Sequence, residues 1–139
     1  MSIDEKIREV ASRALPSWTY VFDDWYGADK SITKVDLPVV LNILPVAGTL
    51  AERNGMIRNA QNCAIAFLDK VRRDGEGKDQ SEVYNRMLRA AEAFIHELNA
   101  SGYFQPVENV QYYVIYEQTA TIVTGVYLDI TLTELVGRC

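Results

Sequence analysis

Histidine is almost missing from this chain: His96 stands alone among 139 residues. A zinc site needs further imidazoles or paired thiolates close by, and His96 has neither, so no metal site is expected. A single imidazole also leaves little for a Ser-His-Asp arrangement, and no serine sits in a nucleophile-elbow pattern. At helical spacing His96 falls opposite the apolar stripe around Phe94, beside Glu92 and Asn99, where a solvated surface group belongs. Cysteine is scarce as well: Cys63 lies in an apolar run and Cys139 is the last residue. Two such cysteines make no disulfide framework, and a buried thiol plus an incidental terminal thiol fit a reducing cytoplasm. Basic residues are outnumbered, 14 Lys and Arg against 19 Asp and Glu, for a net charge of −5. An acidic surface repels phosphate, so direct nucleic-acid binding is not expected. Long hydrophobic runs are missing too. No stretch is long enough to span a bilayer, and Met-Ser-Ile-Asp-Glu-Lys at the start has no signal-peptide core, so no membrane partner is expected.

What is present is a globular composition, 48% apolar and 24% charged, at a length that suits a single domain over residues 1–139. The richest stretch is Glu108–Leu135, full of β-branched and aromatic residues. From Ala120 the even positions run Ala120, Ile122, Thr124, Val126, Leu128, Ile130 and Leu132, with Thr121, Asp129, Thr131 and Thr133 between them. That period of two predicts a half-buried strand. Val110–Tyr116 reads as the strand before it and Glu117–Thr121 as the connection, giving a long antiparallel hairpin.

Ser2–Leu15 predicts an amphipathic helix, with Ile3, Ile7, Val10, Ala11 and Ala14 on one stripe, Ser2 and Glu5 as a capping box, and Pro16 as the stop. Ser17–Tyr26 reads as a strand with Trp18, Tyr20 and Phe22 at alternate positions, followed by an Asp-rich turn. Ile32–Leu44 is a second strand, with Val35, Leu37, Val39, Leu41 and Ile43 on one face. Pro38 places it at an edge or a bulge, and Pro45 ends it. Val46–Gln61, broken by Gly48, Asn54 and Gly55, reads as a loop with room for one helical turn. Asn62–Val71 is apolar on both faces and belongs in the middle of a covered sheet. Arg72–Gln80 is a charged loop. Asp79–Ser101 is a helix with Val83, Met87, Ala90, Ala91, Phe94, Ile95 and Leu98 buried, capped by Asp79 and left through Gly102. This order predicts an α+β fold: a mainly antiparallel sheet of four to five strands with two helices packed on one face.

Candidate chemistry is thin. Asp23, Asp24 and Asp29 form the one dense carboxylate cluster, but adjacent strand residues point to opposite faces, so Asp23 and Asp24 suit a turn better than a shared metal. In Phe67-Leu68-Asp69-Lys70 the carboxylate and the lysine are adjacent, so they cannot face one metal as in a nuclease core. Gly75-Glu-Gly-Lys78 lacks the glycine and the Ser or Thr of a phosphate loop and carries acids that oppose phosphate. No catalytic, cofactor-binding or metal-binding residue is therefore expected, and no cofactor. The tyrosines Tyr112, Tyr113, Tyr116 and Tyr127, with Trp18, Tyr20, Trp25 and Tyr26, have core or contact roles. Tyr113 and Tyr127 lie on the more polar parity of their strands, where tyrosine suits an interface.

The order of elements resembles that of the tail terminator, or tail-completion, proteins of long-tailed phages and prophages. The resemblance rests on a first helix, strands ending near Phe67-Leu68-Asp69, a charged loop, the helix Ser81–Asn99, and a final hairpin closing in Thr124-Gly125-Val126-Tyr127-Leu128-Asp129-Ile130-Thr131-Leu132. It spans nearly the whole chain and contains no sharp motif. It implies a non-enzymatic structural role: a homo-oligomeric ring, usually a hexamer, that caps the tail tube and joins the head connector. Such a protein is cytoplasmic during assembly and then part of the virion tail. A head-to-tail ring interface is expected at the sheet edge and the Arg72–Gln80 loop. The alternative is a small protein-binding or adaptor domain using its tyrosine-bearing sheet face. A third reading is an enzyme with acid chemistry at Asp23, Asp24 and Asp29.

Overall fold

Ser2 accepts a hydrogen bond from the amide of Glu5 and so opens helix α1, Ile3–Ala14. Its stripe of Ile3, Ile7, Val10 and Ala11 is buried. Strand β1 (Thr19–Asp23) follows, then β2 (Val39–Arg53), β3 (Met56–Lys70), helix α2 (Gly77–Ala100), β4 (Gln111–Tyr116) and β5 (Val123–Thr133). The structure is a computed structural model and describes residues 2–24, 27, 36–70, 77–116 and 123–134. Among the described residues the five strands form one sheet in the order β1-β2-β3-β5-β4. All its pairings are antiparallel except β1 with β2, which is parallel. The expected α+β fold, a mainly antiparallel sheet of four to five strands with two helices, is what the described residues adopt, with five strands. Among the described residues no helix is long and apolar enough to cross a membrane.

Both helices cover one face of the sheet. Their buried residues, with Val40, Cys63, Ile65, Phe67, Val126, Leu128, Ile130 and Leu132 from the strands, make the main core. Phe67 is its centre, edge-on to Phe94 of α2 at 5.6 Å between ring centroids and to Trp18 at 6.4 Å. Full burial of each such side chain contributes about 1.5–3 kcal/mol. On the opposite face Val39, Leu41, Ile43, Ala66, Leu68, Ile115 and Val123 form a second buried cluster. Strand β3 is apolar on both faces where β2 and β5 flank it, as a central strand must be. Gly125 of β5 permits this close pairing, because a Cβ there would lie 1.9 Å from the Phe67 carbonyl oxygen.

Several expectations need correcting. The second strand does not span Ile32–Leu44. It starts at Val39, after Leu37 and Pro38, and continues through Pro45 to Arg53; residues 31–35 lie outside the described set. Pro45 does not end the strand because it sits in a register irregularity between Ile43 and Ala47, past the last residue paired with β1. A missing amide proton costs no ladder bond at an edge or a bulge. The stretch Val46–Gln61 is no loop and holds no helical turn: both its halves are strand. Helix α2 begins at Gly77, so Asp79 lies within it and is not the cap, and the charged loop is shorter than Arg72–Gln80. Gly102 does leave the helix with a left-handed φ of 76°. The hairpin of β4 and β5 forms as an antiparallel pair with Val126, Leu128, Ile130 and Leu132 on the core, although it flanks the sheet while β3 holds its middle. Its connection, Glu117–Thr121, is outside the described residues.

Candidate functional site: a projecting hairpin

Strands β2 and β3 outrun their neighbours. β1 pairs with β2 only from Val39 to Ile43. β5 pairs with β3 only from Ala60 to Lys70. Beyond those limits the two strands extend as an arm: the outer edge of β2 is open from Leu44 to Arg53 among the described residues, and past the last β5 partner the strands stand alone, with Leu50–Arg53 in register against Asn59–Met56. The arm turns at Asn54-Gly55, whose φ values of 55° and 78° are both left-handed. Two positive φ values in a two-residue loop make a type I′ turn, which matches the twist of the strands and favours Asn-Gly. At about 3.4 Å per residue, the two-stranded part reaches roughly 14 Å past the β5 ladder. Gly48 lets its strands approach, since a Cβ there would lie 2.9 Å from the Ala60 carbonyl oxygen.

The arm is apolar where a solvated ribbon would be polar. Eight large hydrophobic residues are exposed among those described, and five belong to it: Leu44, Val46, Leu50, Met56 and Ile57. Val46 is 98% exposed, Leu50 73% and Ile57 64%. Its only charges are Glu52, Arg53 and Arg58, close to the tip. Leu50 stands opposite Asn59 and Glu52 opposite Ile57, so Leu50 and Ile57 are diagonal neighbours on one face. Isolated two-stranded ribbons are marginal in water. This one is anchored because β3 runs without a break from the arm into the core.

At the base, Glu134 donates its amide to the Asn59 carbonyl. Its carboxylate takes a 2.8 Å ion pair from Lys6 of α1. The Lys6 ammonium also lies 5.8 Å from the ring centroids of Tyr103 and Phe104. Tyr103 donates its hydroxyl to the Glu9 carboxylate, and that bond holds the phenol proton above its ordinary range.

The residues singled out for chemistry lie apart from one another. His96 is exposed on α2. Asp23 accepts the Asp24 amide and Asp24 accepts the Gly27 amide, at 2.8 and 2.6 Å, which is turn chemistry; Asp29 lies outside the described residues, as do Trp25 and Tyr26. Asp69 pairs with Arg86 of α2 at 3.1 Å, while Lys70 is exposed. Of Gly75-Glu-Gly-Lys78, Gly77 and Lys78 have helical backbone and the other two are not described. Cys63 is buried, and burial pushes its thiol up; Cys139 is not described. Among the described residues no three His, Cys, Asp or Glu side chains gather as a metal site would need. Tyr113 and Tyr127 do come together, stacked at 5.0 Å between centroids on the sheet face away from the helices. A shallow groove of about 230 Å³ lies between α1 and β1, lined by Arg8, Ser12, Trp18 and Tyr20 among others. It is smaller than the roughly 300–1,000 Å³ of typical ligand pockets.

No protein-family model matches this chain, and no curated protein matches it in sequence. The arm is the feature that geometry singles out, by its exposed apolar side chains and its extension past the neighbouring strands. Sequence reasoning missed it, although Asn54-Gly55 between Thr49-Leu50 and Met56-Ile57 is the strongest short-range hairpin signal there is.

Proposed function

We propose that this chain is a non-enzymatic structural assembly protein that acts through self-association. In its concrete form it is a tail protein of a phage or prophage, capping the tail tube as a homo-oligomeric ring and joining it to the head connector. The observation that carries this reading is the arm, which combines exposed apolar side chains with strand edges left open among the described residues. Solvated ribbons avoid that combination, because open edges invite pairing. The order of elements supplies the phage setting. The partners are further copies of the chain, the tail tube and the head connector, and the location is the cytoplasm during assembly and the virion tail afterwards. Light scattering of the full chain, with electron microscopy in the presence of tail tubes, tests the proposal. Rings in solution or at tube ends are expected. A protein that stays monomeric at high concentration and ignores tube ends overturns it.

A second reading has its own support. The Tyr113–Tyr127 stack, with Tyr113 41% exposed, is an aromatic patch on a sheet face. Such patches suit protein contacts, as a small adaptor domain would use. Loss of partner binding in Tyr113→Ala, with self-association intact, would favour this reading over the first.

A further inference from the structure

We infer that the arm of one copy pairs with the arm of a second copy, β2 edge to β2 edge, antiparallel and centred on Leu50. The inference rests on the self-association proposed above and specifies its pre-assembly form: a two-fold dimer that hides the open edge until a ring is built.

The direction of the peptide groups decides which edge can pair. In a two-residue hairpin the residues flanking the turn, here Arg53 and Met56, exchange the closing hydrogen bonds, and alternate pairs behind them do the same. Gly48, Leu50 and Glu52 therefore turn their amides and carbonyls outward from β2. Ile57, Asn59 and Gln61 do so from β3. The bond from the Glu134 amide to the Asn59 carbonyl bears this out. The β3 edge is thus largely occupied: Gln61 lies within the β5 ladder and Asn59 holds Glu134. Only Ile57 keeps both groups free among the described residues. On β2 all three residues lie beyond β1.

A two-fold axis at Leu50 sets Leu50 against Leu50 and Gly48 against Glu52, twice. Three such pairs, two bonds each, form six hydrogen bonds. Pairing β2 with the β3 edge of a neighbour finds one fully open residue. The side chains agree with the symmetric choice. Leu50 meets its own copy, and the apolar stripe runs Ile57-Leu50-Leu50-Ile57 across the axis. Glu52 faces the bare backbone of Gly48, so no like charges are opposed. Five residues a side cover less than the roughly 800 Å² per partner of a standard stable interface, so the dimer belongs to the weak, reversible class. A form that must open for ring assembly needs that property.

Cysteine cross-linking of the full-length chain tests this, in a Cys139→Ser background so that the terminal thiol cannot compete. Hydrogen-bonded antiparallel partners have Cα atoms about 5.5 Å apart, within disulfide reach. Leu50→Cys is expected to form a disulfide dimer under mild oxidation. Thr49→Cys, also exposed but facing Ala51 of the other copy, is expected to stay largely unlinked, because partners more than about 7 Å apart cannot be bridged. Leu50→Lys, monitored by circular dichroism for folding, is expected to abolish the concentration-dependent dimer in sedimentation. If Leu50→Cys links only to Ile57→Cys in a mixture, the two-fold pairing is wrong while a head-to-tail ring survives. If Leu50→Cys links to neither, both the pairing and the arm as the assembly surface are overturned.

Discussion

Placing lysine at both Leu50 and Ile57 separates assembly from folding. In the free chain these side chains are 73% and 64% exposed, so the fold gains little from them. Surface substitutions of this kind change stability by no more than about 0.5 kcal/mol. If the arm is covered in the assembled protein, both side chains leave water there. Scaling the roughly 1.5–3 kcal/mol of full burial by the exposed fractions gives about 2–4 kcal/mol lost per contact from the missing apolar area. That is roughly 30- to 700-fold in association, and the cost of desolvating the new charges comes on top. Sedimentation velocity across a concentration series reads the association, and urea unfolding followed by far-ultraviolet circular dichroism reads the stability. The expected result is a monomer whose unfolding midpoint matches the parent chain. Unchanged association would refute the reasoning outright. A drop in stability as large as the drop in association would show that the arm supports the fold instead of a partner.

Other perturbations test the frame that carries the arm. Asn42 is 2% exposed and donates to the Tyr20 hydroxyl at 2.9 Å. Tyr20→Phe leaves that donor without its acceptor and should cost about 1–3 kcal/mol in urea unfolding, while the double change with Asn42→Leu should recover most of it. Burial pushes the Tyr20 phenol up, against the smaller lowering effect of the Asn42 bond. The unfolded chain therefore loses this proton first, near pH 10, and stability present below that pH falls as pH rises toward the folded value; Tyr20→Phe should flatten part of this alkaline loss. Gly125→Ala drives a Cβ against the Phe67 carbonyl oxygen, and forcing β5 from β3 should cost about 3 kcal/mol or more, read as loss of soluble folded protein. Gly55→Ala meets no neighbouring atom but must hold a φ of 78°, which costs roughly 1–2 kcal/mol. That strain is confined to the turn, so faster amide exchange along the arm with a nearly unchanged global midpoint is expected.

The covered parts of the fold were legible because burial leaves a period. Ile3, Ile7, Val10 and Ala11 on α1, Val83 to Leu98 on α2, and Val126 to Leu132 on β5 each have their apolar residues on the face that meets the core. The arm was not legible by that rule, since neither of its faces is buried by the chain itself. Pro45 and Gly48 then read as breakers, yet both suit their places: one in a register irregularity beside an open edge, the other where two strands come close. The parallel pairing of β1 with β2 left no local trace, since a strand's own pattern does not state its neighbour's direction. The turn role of Asp23 and Asp24 and the surface place of His96 followed from spacing alone. The stack of Tyr113 on Tyr127 needed the register, although their shared parity pointed to it.

Strand β3 is a single beam. One end is clamped between Phe94 and Trp18 through Phe67, and the other carries Met56 at the tip. Because no hinge residue divides Met56–Lys70, the bearing of the tip is set by how the core grips the far end. A volume change at Phe67 that tilts β3 would therefore move the tip through leverage, altering assembly geometry from a site inside the core.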